Sequence, residues 1–248
     1  MVADADRDRK DPATSRSVPI LRLDQNGSAE TSDEVVAEGQ LTLIVNDRVI
    51  ATQIYLPVDL ELLVYGYLWS EGLIGAVDDV INVDTDYDSG TVRVKVRERA
   101  VNETVLPESA PGFQVAPADI LALMIELETI SGLHASTSGV HSAMLARGRE
   151  VLFYYDDIGR HNALDKVLGR ALLDGIDLAD KILLSSGRLP TEQVMKAVRT
   201  GAPILVSRAR PTDAAIKLAD RYNLTLIGYV RRGAMHVYAH PERIRREP

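Results

Sequence analysis

Hydrophobic and polar positions begin to alternate at Leu41, where "LTLIVNDRVIATQIY" reads as two strands meeting at Asn46-Asp47, a dipeptide suited to a tight hairpin. The period then changes. "PVDLELLVYGYLWSEGLI" has amphipathic-helix spacing, with Pro57 near its first turn and Gly72 near its end. "VINVDTDYDSGTVRVKVRE" returns to alternation and predicts a second hairpin, turning at Asp88-Ser89-Gly90. The Pro- and Gly-punctuated stretch "AVNETVLPESAPGFQVAP" follows as a loop, and a domain boundary is expected near residue 110.

Beyond that loop "ADILALMIELETI" is helix-patterned, and "SGLHASTSGVHSAMLA" leads to a turn at Arg147-Gly148-Arg149. Short apolar runs ("VLFYY", "KILLS", "PILVS", "LTLIGYV") then alternate with helices expected over 162–174, 191–200 and 212–222. Such alternation predicts an α/β fold with a largely parallel sheet flanked by helices. The expected organisation is a mobile tail over 1–36, polar and without period, a small α+β domain over 37–110, and an α/β domain over 111–248.

The chain's 248 residues suffice for one large domain or two small ones. A formal charge of −8 argues against a general nucleic-acid binder, which needs a basic face. No apolar run is long enough to span a bilayer, and "MVADADRDRKDPATSRSVP" lacks a signal peptide's apolar core, so the chain reads as cytoplasmic, without a membrane partner. The cysteine count is zero. That excludes disulfides, thiolate nucleophiles, iron–sulfur ligation and every cysteine-containing zinc site.

Three strand-to-helix junctions carry similar chemistry: "DDIGRHN", "SSGRLPT" and "SRARPT". In an open α/β sheet, ligands sit beyond the carboxyl ends of the strands. Free N–H groups at helix starts and forked arginine donors both suit phosphate or carboxylate. A single such junction is explained by ordinary capping. Three on one edge leave capping and a polyanionic ligand as equal readings; the ligand would be held by Gly159, Arg160, His161, Asn162, Ser186, Gly187, Arg188, Ser207 and Arg208, with Arg210 alongside. Neither a dinucleotide-binding glycine fingerprint nor a P-loop occurs. His134 and His141 flank "ASTSGV" and could bind metal, but the cysteines of a zinc deaminase are missing, so no metal is expected. Asp157 and Asp165 could form an acid/base pair; equally, Asp165 is a first-turn residue favoured by the helix dipole.

The segments "DIGRHNALDKVLGRALLDG", "SSGRLPTEQVMKA", "GAPILVSRARPTDAAIKLAD" and "LTLIGYVRRGAMHVYAHPERI" resemble, in order, those of the FdhD family, formate dehydrogenase accessory proteins that act as sulfurtransferases. "GLHASTSGVHSAML" and "PVDLELLVYGYLWSEGLI" extend the resemblance over nearly the whole chain beyond the tail. The resemblance implies a cytidine-deaminase-like C-terminal domain, a homodimer, and binding of the bis-molybdopterin guanine dinucleotide cofactor through its guanine-nucleotide part. It also implies a Cys-x-x-Cys loop that takes persulfide sulfur from a cysteine desulfurase. The sulfur would pass to a molybdenum or tungsten centre destined for formate dehydrogenase or a related enzyme. "YVRRGA" resembles the family's cofactor segment, which adds Tyr229, Val230, Arg231, Arg232, Gly233 and Ala234 to the expected ligand residues.

Two departures stand out. The interval that should hold the cysteine loop reads "ESAPGFQVAP", and neither Ser109 nor Met124 can stand in for a thiolate. Ala234 and His236 occupy positions where the family usually has arginine and asparagine. Three functions follow as alternatives: a sulfurtransferase, a non-catalytic holder of molybdenum cofactor or guanine nucleotide, and a zinc-dependent hydrolase. The missing thiol favours the second.

Overall fold

The computed structural model describes residues 13–25, 27–97 and 112–245. Part of the expected tail is a hairpin: β1 (Ser15–Asp24) pairs antiparallel with β2 (Gly27–Val36). Its side chains are almost all exposed, so no buried face imprints alternation on the sequence. The backbone ladder makes the ribbon, and Ala37 N–H donates to Thr14 O at 2.9 Å at its base. Residues 1–12 of that expected tail lie outside the described residues.

Two further hairpins, β3 (Gly39–Val45) with β4 (Arg48–Tyr55) and β5 (Val80–Asp86) with β6 (Thr91–Val96), join through a parallel β3–β6 pairing into one sheet. Asn46 and Asp47 take φ of 44° and 65°, the left-handed values that a two-residue hairpin loop requires. Helix α1 (Leu60–Ser70) covers this sheet, bringing Leu63, Val64 and Leu68 onto Leu41, Leu43, Val92 and Val94.

The larger sheet contains β7 (His141–Arg147), β8 (Glu150–Asp157), β9 (Ile182–Ser185), β10 (Ile204–Ser207), β11 (Thr225–Arg231) and β12 (Ala234–Ala239), in the order β12-β11-β10-β9-β7-β8. It is mixed rather than largely parallel. Only β9–β10 and β10–β11 pair in parallel, whereas β7 runs antiparallel to both its neighbours and β12 runs antiparallel to β11. Strand β7 is buried at five successive positions, so it lacks the alternation that marks a strand. Neighbouring residues along the central strands face opposite layers. Leu183, Leu205 and Leu226 pack with α4 (Arg160–Leu173), α5 (Thr191–Thr200) and α6 (Asp213–Arg221). Ile182, Leu184, Ile204, Val206 and Ile227 pack with α2 (Pro117–Ile130), which precedes the short α3 (Gly132–Thr137).

The two sheet units meet where α1 crosses α4. A Cβ on Gly66 would lie 1.7 Å from Asp165 O, and one on Gly169 would lie 1.9 Å from Leu62 O. Glycine at both positions lets the two backbones touch. Among the described residues no helix is long and apolar enough to cross a membrane.

Candidate functional site

Because β7 reverses between β8 and β9, strands β8, β9, β10 and β11 all run the same way. Their carboxyl ends therefore share one edge, as the three arginine junctions require. The start of β7 lies there too, with His141 opposite Asp157 and Ala143 opposite Ser185.

The junction after β8 divides its residues between two tasks. Asp157 is fully buried, accepts from Leu56 N, Gly159 N and Asn162 Nδ2 at 3.0–3.1 Å, and pairs with the fully buried Lys166 at 2.8 Å. Asn162 Nδ2 also donates to Ile54 O, and Lys166 Nζ to Leu56 O and Asp156 O. Asp165 accepts from Ser70 Oγ at 2.7 Å and pairs with Lys196, which also reaches Glu71. Buried charges persist only when paired and hydrogen-bonded, and these are. Asp157, Asn162, Asp165 and Lys166 thus clasp the N-terminal unit to α4. Asp157 and Asp165 serve separate clasps, not one acid/base pair, and Asn162 faces inward, away from the edge.

Arg160 and His161 stay at the edge. Arg160 runs across Gly187, where a Cβ would come within 2.7 Å of its Cβ and Cδ, so the absence of a side chain there admits the arginine. Arg160 Nε, His161 Nε2 and Gln193 Oε1 are buried without a hydrogen-bond partner, while Gln193 Nε2 donates to Arg160 O at 3.0 Å. Unpaired buried polar atoms are uncommon, and three gathered at the first turn of α4 mark a place that suits a polar ligand. Burial holds His161 below the usual histidine range, with Arg160 and Lys196 adding to the effect. Burial does the same to His141, again with Arg160 contributing.

The sequence gives little warning of the role of His141. Its Nδ1 lies 3.2 Å from Ser186 Oγ, which accepts from Ser142 N at 3.0 Å. Ser142 Oγ and Ser131 Oγ both donate to Asp156 at 2.6 Å. His134 Nδ1 bonds to Val140 O. Among the described residues no three His, Asp or Glu side chains converge as a metal-binding group. Ser207 is fully buried, donates to Gly187 O at 2.5 Å and accepts from Ala209 N, so it joins the second and third junctions internally. Arg188 and Arg210 are exposed.

At the end of β11 the ladder shifts register between Gly228 and Arg231, and Tyr229 takes a left-handed φ of 57°. The guanidinium carbons of Arg210 and Arg231 lie 4.0 and 3.9 Å from the centroid of the Tyr229 ring. Arg232 and Gly233 form the turn into β12, where Ala234 stands opposite Arg231. Between this turn and α2 lies a cavity of about 350 Å³. Leu121, Met124, Ile125 and Glu128 line it from α2, and Arg208, Val230, Arg231, Arg232 and Gly233 from the sheet edge. Sequence reasoning missed the α2 wall, although positions 121, 124, 125 and 128 form one helical stripe. Of the interval that replaces the cysteine loop, residues 108–111, Ser109 included, lie outside the described residues, whereas in its second half Val115 is buried and its N–H donates to Arg243 O at 2.9 Å.

A family model described as the FdhD/NarQ family matches residues 36–110 and 98–245. A sulfur carrier protein FdhD from Bacillus subtilis (strain 168) is 34% identical over 251 residues, covering 91% of this chain and 96% of its own. One of the same name from Staphylococcus aureus (strain MRSA252) is 33% identical, covering 91% and 95%. A solved structure from Desulfotalea psychrophila, described as a candidate formate dehydrogenase accessory protein, superposes with a TM-score of 0.81 at 30% identity, covering 94% of this chain and all of that one.

Proposed function

Since the chain belongs to the FdhD/NarQ family, we propose that it serves formate dehydrogenase maturation by holding the bis-molybdopterin guanine dinucleotide cofactor, or its guanine-nucleotide part, without carrying sulfur itself. The observation that carries this reading is the concentration of Arg160, Arg188, Arg208, Arg210, Arg231 and Arg232 at one sheet edge of a chain whose net charge is −8. Arginine forks suit a pyrophosphate, and the apolar Leu121, Met124 and Ile125 of the adjoining cavity suit a flat ring. The unpaired Arg160 Nε adds a donor, and His161 Nε2 adds one if its proton lies there.

The curated relatives are named sulfur carriers, but this chain has no cysteine on which a persulfide could form. Sulfur bound for the metal would then travel from a cysteine desulfurase on another, thiol-bearing protein. The chain would act as a homodimer and meet formate dehydrogenase or a related molybdenum or tungsten enzyme as its client. Calorimetry with GDP and with the intact cofactor tests the site. Arg160→Ala and Arg188→Ala should each weaken binding by about 1.5–3 kcal/mol, the range for charge-assisted hydrogen bonds. Unchanged affinity in both variants overturns the assignment.

A further inference from the structure

We propose that Glu128 is an internal competitor for Arg208, occupying it when the cavity is empty and returning to it as an anionic ligand leaves. This rests on the reading that an anion binds at this edge. Glu128 ends the α2 stripe of Leu121, Met124 and Ile125, and among the described residues is the single acid lining a cavity that also holds Arg208, Arg231 and Arg232. Its Oε1 lies 2.7 Å from Arg208 Nε. The two side chains remain 35% and 57% exposed, so the pair is weak enough to exchange. A monoanion would trade one ion pair for another with little gain. A diphosphate can engage Arg208 together with the Arg231–Arg232 pair, so it displaces the carboxylate. On release, Glu128 satisfies Arg208 again and lowers the cost of letting go, which suits a protein that must surrender its ligand to a client.

A pair that merely tethers α2 to the end of β10 would behave differently, because removing the acid would loosen Arg208 and leave binding unchanged or weaker. The test is calorimetry and stopped-flow binding of GDP to the full chain, as wild type, Glu128→Gln, Arg208→Ala and the double variant, with melting curves to confirm folding. Glu128→Gln should tighten GDP binding by about twofold to fivefold, the scale of a partly exposed ion pair, mainly through slower release. In the Arg208→Ala background the same substitution should add nothing. Unchanged or weaker binding in Glu128→Gln overturns the proposal, as does an equal gain in both backgrounds, which would signal only long-range charge. A wild-type chain that binds no GDP would overturn the cofactor-holding reading itself and this proposal with it.

Discussion

Tyr229 sets the spacing of cations at the edge. Arg210 and Arg231 are twenty-one positions apart in the chain, yet both guanidinium groups settle on its ring at about 4 Å. The negative ring face attracts both and so holds two like charges near each other before any ligand arrives. A hydrogen bond from Arg231, with its charge, also keeps the phenol below the usual tyrosine range. Tyr229→Phe keeps the face and should leave GDP affinity within about twofold, whereas Tyr229→Ala frees both arginines and should weaken it about threefold to tenfold. Equal affinities for the two variants in calorimetry would remove the ring from the argument. The arginines were visible in the sequence; the stack was not, because it depends on the register shift after Gly228. His161 offers a pH test. Burial lowers its pKa in the folded chain, so below the ordinary value of about 6.5 the unfolded chain binds more protons. The stabilisation is complete above that value and declines as pH falls towards the folded pKa. Melting temperatures between pH 7.5 and 5.5 should fall less steeply in His161→Gln than in wild type, and parallel slopes would count against this.

At the scale of elements, the α1–α4 crossing makes the two sheet units one body. Replacing a mid-helix glycine by alanine ordinarily gains about 1 kcal/mol from helix propensity. At Gly66 the new methyl would meet the Asp165 carbonyl at 1.7 Å, and backbone cannot swing aside as a side chain can. Gly66→Ala should therefore lose about 2 kcal/mol or more in urea unfolding, and a stability gain would show that the helices can separate freely. The clasp beside the crossing is comparably strict. Lys166→Met strands Asp157 as an unpaired buried charge and should cost about 3–5 kcal/mol, with part recovered by adding Asp157→Asn. Absence of any recovery in the double variant would mean that the lysine acts by packing alone. This division was half legible in the sequence. "DIGRHNALDK" looks like one chemical cluster, but positions 162, 165, 166 and 169 fall on one helical face. That spacing could have turned Asn162, Asp165 and Lys166 inward and left Arg160 and His161 outside.

Over the whole molecule, the shared edge was readable because β8 to β11 do run the same way, although β7 intervenes unseen in its uniformly buried run. The β1–β2 ribbon was illegible for the opposite reason, since it buries almost nothing. One property needs no geometry: nowhere among 248 residues is there a thiol. Sulfur relay requires a nucleophile that can attack a persulfide, keep the sulfane atom in an S–S bond, and yield it again to thiol or metal. A serine alkoxide would hold sulfur only through oxygen. Met124 is buried among the residues lining the α2 cavity, and its thioether has no proton to lose. Incubation with a cysteine desulfurase and sulfur-labelled cysteine, followed by non-reducing separation, should therefore leave this chain unlabelled while it still binds GDP. Stoichiometric label that a thiol reductant removes would refute the prediction. With no label and retained GDP binding, the arginine edge becomes the functional element that this chain keeps in the absence of a thiol.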